Sequence, residues 1–446
     1  MTSASPPAIG PTIGIDFGTT NTVVSMTQGD GPATLVRFPT TDGDIFAFRS
    51  ALSFHAVMGT DGRPNERVVE AGPWAIEAYV EDPLETRFIQ SFKTFAASAA
   101  FTETKILSKR YLFEDLLAAF LLKLKEHGGA AMAALPARVI VGRPVTFAGG
   151  NPNEALALQR YEAAFARLGF TDIRYAYEPV GAAFFFARQL TQDATVLVAD
   201  FGGGTSDFSI VRFERSGGAL RSTALARSGV GVAGDAFDYR IIDHLVSPEL
   251  GKGSLYRAFD NRLPIPQRYY TAFARWDQLA LLRASKDMRD IRALERTAME
   301  PEKIARLIEV LDDNHGYALY RAVSALKEAL SSHDEATFRF EAGSVLIEKA
   351  VKRSDFEGWI APELKAIEGA VDQALARSGL GPDGVDRVFL TGGSSFVPAV
   401  RDIFLRRFGE AKIESGGEFE SIASGLALIG RESDLDLWSE RAGVKP

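Results

Sequence analysis

Three aspartates stand at the ends of short apolar runs, beside turns rich in glycine and threonine. Asp16 lies in "GIDFGTTNTVV", and Asp200 and Asp207 lie in "VADFGGGTSDFSIV". Glycine lifts the steric bar on unusual backbone angles, so successive N–H groups at Gly18, or at Gly202, Gly203 and Gly204, can converge on one anion. Thr19, Thr20 and Thr205 add hydroxyl donors to the same turns. The acids repel phosphate, so a magnesium ion between carboxylates and phosphate is the economical reading. Two such turns facing each other across a cleft would hold a triphosphate from both sides. One Asp-Phe-Gly turn alone is an ordinary hairpin; the second copy, in a matching position, favours the chemical reading. A third glycine turn, "FLTGGSSFVP" (389–398), closes a strand pattern and opens a helix pattern. Gly392 and Gly393, followed by Ser394, suit a flat or anionic ligand there.

Holding these turns opposite one another requires two similar scaffolds, and hydrophobic periodicity supplies them. The first half reads as a hairpin over 12–27, a third strand near 34–38, a strand over 138–145, a helix over 153–169, a strand over 172–179 and a helix over 180–190. The second half repeats that order: a hairpin over 195–213, a third strand near 219–227, a strand over 386–393, a helix over 396–409, the short strand "AKIES" and a helix over 418–430. The expectation is an α/β protein of two duplicated lobes, 10–194 and 195–430, each with a mixed five-stranded sheet flanked by helices. Two unrepeated stretches, 39–110 and the charged, helix-rich 234–329, read as inserted subdomains. Residues 431–446 form a short acidic and apolar tail. In it Leu435, Leu437 and Trp438 alternate with acids, which predicts an added strand whose apolar edge docks between the lobes when they close.

Composition narrows the function classes. With 446 residues and 46% hydrophobic content, the chain can bury large cores. Its net charge of -8 comes from intermixed signs without a basic stripe, which argues against nucleic acid and against a membrane surface as partners. The absence of cysteine excludes disulfides and thiol chemistry, and the five histidines are not at metal-ligand spacing. The leader "MTSASPPAIG" lacks the features of a secretory signal and reads as a frayed terminus. The apolar run from Tyr111, "YLFEDLLAAFLLKLKEHG", carries four charged residues among its first fifteen and reads as an amphipathic helix, not a membrane span. Cytoplasm is the expected location.

The stretches "GIDFGTTNTVV", "YEPVGAAFFFA", "VADFGGGTSDFSIV", "GVAGDAFD" and "VFLTGGSSFVPAVRDIF" together resemble, in order and spacing, the nucleotide-binding domain of the seventy-kilodalton heat-shock chaperones of DnaK type. That family belongs to the actin-like ATPase superfamily, and the resemblance runs from about Ile13 to Gly430. It implies an actin-like ATPase fold that binds ATP and Mg2+. Asp16 would sit near the magnesium shell, through water, with Gly18, Thr19, Thr20 and Asn21 at the phosphates. Lys93 in "IQSFKTF" is similar in position to the family's catalytic lysine, and Glu178 in "YEP" to the acid that orients water and metal. Asp200 matches the second metal acid and Thr205 the γ-phosphate hydroxyl, with Asp207 the alternative base. Pro144 aligns with a strand-end proline of the inter-lobe switch.

The base site departs from the family. Lys327 and Ser331 match the adenine helix, but Ser324 stands where the family has glutamate, and Phe396 stands where it has a stacking arginine. A ring stacks on any base, so discrimination between ATP and GTP is expected to be loose. Only sixteen residues follow Gly430, so no peptide-binding domain is expected. The resemblance thus implies a slow ATP hydrolase that switches conformation with nucleotide and works with a co-chaperone or other protein partner. A small-molecule kinase of the same superfamily, a filament-forming actin relative and a nucleotide binder without turnover remain the alternatives.

Overall fold

Residues 10–442, except 30, 42, 59–63, 189, 217–218, 283–284, 416–419 and 433, are described by a computed structural model. Residues 1–9 of the leader, read above as a frayed terminus, lie outside the described residues. The first sheet comprises β1 (Thr12–Phe17), β2 (Asn21–Thr27), β3 (Thr34–Leu35), β4 (Ala47–Arg49), β5 (Arg138–Arg143) and β6 (Asp172–Tyr177). They lie in the order β6-β5-β1-β2-β3, with β4 also pairing β2. The second sheet comprises β7 (Ala194–Phe201), β8 (Ser206–Ser216), β9 (Ala219–Val230), β10 (Arg387–Thr391) and β11 (Ile413–Ser415), in the order β9-β8-β7-β10-β11.

Read from the parallel edge, both sheets follow one plan. β1 and β7 each pair antiparallel with the next strand and parallel with a distant one, β5 or β10. These central strands are near-continuously buried, as expected where helices cover both faces. The first sheet has one strand more than the five read from sequence. The chain leaves β2 after Leu35, Phe38–Thr40 forms a separate hairpin with Gly43–Ile45, and β4 pairs the vacated half of β2.

Two helices, Glu178–Ala187 and Ser421–Ile429, cross between the sheets. A β-carbon on Gly425 would lie 1.6 Å from the Gly181 carbonyl oxygen, so the two backbones touch where they cross. Phe186 stacks on Phe389 at 3.8 Å, tying that crossing to the second sheet. The stretch 39–110 holds a three-stranded sheet and the helix Gly72–Glu81. The stretch 234–329 is helical but also carries the hairpin Leu255–Ala258 and Asn261–Pro264. Its last helix, Gly316–Ser332, buries Leu319, Val323, Leu326 and Leu330 at helical spacing. Among the described residues no helix is long and apolar enough to cross a membrane.

The tail corrects the sequence reading. Leu435–Trp438 is one helical turn, not a strand, because Leu435 and Trp438 share a face at i and i+3, and the Ser439 N–H closes the turn on the Leu435 carbonyl at 2.8 Å. Trp438 meets Phe184 edge-on at 5.0 Å, while Leu437 is 71% exposed. Among the described tail residues only Glu440 pairs in strand fashion, exchanging two backbone bonds with Tyr175 of β6.

Candidate functional site

The strand ends aim the two turns at each other. β1 ends at Asp16–Phe17, and the Gly18 N–H donates to the Asn21 carbonyl at 3.0 Å, closing the first turn. Ser50 braces this turn, its N–H donating to the Thr20 carbonyl and its hydroxyl to the Gly18 carbonyl. The second turn closes in the same way, Gly202 N–H to Thr205 carbonyl at 3.0 Å. A β-carbon on Gly203 would lie 2.5 Å from Thr20 Oγ1, and one on Gly204 3.3 Å from Thr19 Oγ1. The glycines of one turn therefore sit against the threonines of the other, and any side chain at Gly203 would prise them apart.

Behind the turns lies a buried charged cluster. Ser91, with φ +53°, starts the short 3-10 turn Phe92–Phe95 that carries Lys93 inward. The Lys93 ammonium lies 2.7 Å from Glu178 Oε1, and both side chains are more than nine-tenths buried. Burial would lower the lysine pKa, but the Glu178 carboxylate overrides it and holds the ammonium charged. Asp16 is pushed up to about 7 by burial and by Glu178, against the pull of Lys93. Asp200 rises well above the carboxylate range through burial and through Glu178, Asp16 and Asp207. Asp207, fully buried, is pushed up to about 7, chiefly by burial and then by Glu178. Four carboxylates thus share one ammonium, and Asp207 Oδ2 has no hydrogen-bond partner among the described residues. Such an excess of buried negative charge fits a divalent cation, which would favour the ionised carboxylates.

Asp207 also links the two lobes. Its Oδ1 accepts from the N–H groups of Val145 at 2.7 Å and Thr146 at 3.2 Å, the two residues after Pro144. The alternative base of the sequence reading therefore spends one oxygen on the strand end it faces.

The side expected to face a base is assembled from three elements. Gly392 has φ +84°, and a β-carbon there would lie 2.2 Å from the Phe201 carbonyl, so this turn requires glycine. Gly393 opens the 3-10 turn to Phe396, with Ser394 buried and Phe396 52% exposed. Gly234 lies between them and the helix Gly316–Ser332: a β-carbon there would be 3.0 Å from Ser394 Oγ and 3.6 Å from Lys327 Nζ. Lys327 is ion-paired with Asp238 at 2.6 Å, and the Trp276 indole N–H donates to the other Asp238 oxygen at 3.0 Å. The Ser331 hydroxyl donates to the Lys327 carbonyl of its own helix, at 2.9 Å.

Sequence reasoning missed Ser50, Asp235, Asp238 and Trp276. Asp235 and Asp238 stood in the quoted "GVAGDAFD", so an acid facing Lys327 was findable; Trp276 carried no local signal. It also missed Arg143, buried at the end of β5, which pairs with Glu154 and with Glu440 of the tail, and Arg174, which reaches Asp436 at 2.6 Å. Away from the cleft, His315 does group with Glu309 and Asp313, their ligand atoms lying within 4.8 Å of one another. Spacing in the chain hid this group because the helix end Asp312 and the turn after it fold the three together. Glu309 is already satisfied there by the Ser344 N–H and hydroxyl, each at 2.5 Å.

Comparison with known proteins follows the same outline. A family model described as Hsp70 protein matches residues 85–256 and 294–432. The chaperone protein DnaK of Thermus thermophilus is 24% identical over 426 residues, which cover 93% of this chain and 60% of the relative. That of Deinococcus proteolyticus is 27% identical over 429 residues, covering 93% of this chain and 58% of the relative. The chain thus spans about three fifths of the length of these curated relatives.

Proposed function

The chain belongs to the Hsp70 family, and from that premise we propose that it is a Mg-ATP-dependent ATPase of the chaperone type, slow in turnover and switching conformation with its nucleotide. The observation that carries the reading is the direct opposition of Gly203 and Gly204 to Thr20 and Thr19, with Lys93 and Glu178 buried behind them. Backbone N–H groups and hydroxyls of Gly18, Thr19, Thr20, Asn21 and Gly202 to Thr205 would hold the phosphates. Magnesium, held through Asp16 and Asp200, would neutralise phosphate charge when bound. Lys93 would stabilise charge developing on the γ-phosphoryl group, and Glu178, 2.7 Å from it, would keep the ammonium in place and orient the attacking water. Lys327, Ser331, Ser394 and Phe396 would flank the base.

The link from Asp207 to the residues after Pro144 supports a switch in which loop geometry is passed to the strand end of the other lobe. The tail, held by Arg143 and Arg174, would report that movement to a protein partner such as a co-chaperone. A cytoplasmic setting without nucleic-acid or membrane partners belongs to the same reading, in keeping with the net charge of -8.

Calorimetric titration with ATP, GTP and ADP, with and without magnesium, tests the proposal. It expects magnesium-dependent ATP binding, with GTP binding within about tenfold because Phe396 stacks without reading the base. No nucleotide binding under any condition would refute it.

A further inference from the structure

Away from the cleft, the end of the helix Pro301–Asp312 gathers Glu309, Asp313 and His315. Local geometry dictates the gathering. Glu309 and Asp313 stand four residues apart on the face that the last turn extends, with the Asp313 N–H donating to the Glu309 carbonyl at 2.9 Å. Asn314 then takes φ +61°, a left-handed conformation that asparagine tolerates, and the His315 N–H closes back on the Val310 carbonyl at 3.0 Å. That reversal returns the imidazole to the two carboxylates, so that one ligand atom from each residue lies within 4.8 Å of the others. The intervening residues are engaged elsewhere. Asp312 pairs with Arg292, and the Asn314 side-chain amide donates to the Pro83 carbonyl, each at 2.6 Å.

Three features of the cluster fit a cation. The Nε2 atom of His315 is closed to solvent and has no hydrogen-bond partner among the described residues. A ring nitrogen left so is costly, and coordination would satisfy it. Gly343, with φ +58° in the turn between the strands Glu335–Ala342 and Val345–Lys352, supplies the room: a β-carbon there would lie 2.2 Å from Glu309 Oε1 and 3.2 Å from His315 Nε2. The two donors converge on space that glycine leaves open. Ser344 orients the Glu309 carboxylate, its N–H donating to Oε1 and its hydroxyl to Oε2, and each oxygen keeps a lone pair for a metal. Those bonds, and then His315, hold the Glu309 carboxyl below its usual value, so it is ionised. Asp313 is exposed and leaves the cluster an entry from water.

We propose that Glu309, Asp313 and His315 bind one divalent transition-metal cation, zinc by the class of its donors, with water completing the coordination. An imidazole nitrogen beside two carboxylate oxygens selects against magnesium and calcium, which take oxygen ligands alone. The bound ion ties the helix end to the turn at Gly343 and Ser344 and steadies Asn314 between its ligands. Asn314 meets the other inserted subdomain, donating to Pro83 and accepting from the Tyr79 hydroxyl, so the ion acts as a clasp on that contact.

The intact, untagged chain provides the test, without nucleotide and with magnesium in excess. Calorimetric titration with zinc should show a saturable site, weakened about tenfold or more in His315→Gln and in Asp313→Asn. Thermal melting checks both folds, and the exposed Asp313 can change to asparagine without disturbing packing. Among the ring carbon signals of the five histidines, zinc should shift the one that His315→Gln removes. Zinc should also slow amide exchange about tenfold or more in residues 313–317, and unchanged exchange there would remove the clasp. Absence of zinc binding overturns the proposal. So does binding that both variants leave intact, or a shift confined to another histidine, since either would put the ion elsewhere.

Discussion

Asp207 offers the sharpest test of the excess of buried negative charge. In the unfolded chain its carboxyl has the ordinary pKa of 3.8, whereas in the folded protein burial and Glu178 push it up to about 7. Between these values the folded state binds a proton that the unfolded state does not, so stability is greatest below the lower value and falls as pH rises toward the higher one. From pH about 5.5 to 8 the loss covers roughly 1.5 units below the folded pKa, at about 1.4 kcal/mol per unit, or about 2 kcal/mol in all. Asp207→Asn removes the titration and keeps an oxygen to accept from Val145 and Thr146, and it also relieves the repulsion by which Asp207 helps raise Asp200. Urea unfolding of both proteins would be followed across this pH range in buffer free of nucleotide and magnesium, with fluorescence and circular dichroism compared to check that the lobes unfold together. Wild type should lose about 2 kcal/mol relative to the variant as pH rises. A difference that is flat with pH, or that grows in favour of wild type, would refute the account of the cluster.

Other predictions follow from the same geometry. Asp200→Asn should weaken ATP binding about tenfold with magnesium and leave magnesium-free binding nearly unchanged in calorimetry; equal binding by variant and wild type would contradict the twin-turn reading. Lys93→Ala should lower the single-turnover hydrolysis rate by about 10² to 10³ while ATP affinity moves less than about fivefold. An unchanged rate would reduce Lys93 to a structural partner of Glu178. Gly425→Ala, which sets a methyl group 1.6 Å from the Gly181 carbonyl, should destabilise by about 3 kcal/mol or more in thermal unfolding; an unaltered midpoint would mean the helix crossing yields easily. Truncation after Gly430 should change the ATPase rate, and Trp438 emission, judged against Trp438→Phe, should shift when ATP is added. A tail indifferent to nucleotide in both measurements would have no part in the switch.

The sequence by itself determined the duplicated order of elements and both glycine-threonine turns, because those signals are local. Strand periodicity is carried by neighbouring residues such as Ile13, Ile15 and Phe17, and a turn that must present N–H groups needs its glycines within a few positions of one another. Resemblance to a known family added Lys93 and Glu178, which are 85 residues apart and which no local pattern joins. Tertiary structure alone decided the rest. Whether Leu435 to Trp438 extends or coils depended on which face found Phe184 and on the pairing of Asp436 with Arg174, and alternation with acids could not foretell either. The fate of Asp207, bonded across the lobes to Val145 and Thr146, and the arrival of Trp276 at Asp238 are likewise set by packing between distant segments. The raised carboxyl pKa values have the same origin: charge repulsion and desolvation act through space, and only the folded chain brings Asp16, Glu178, Asp200 and Asp207 into one buried volume.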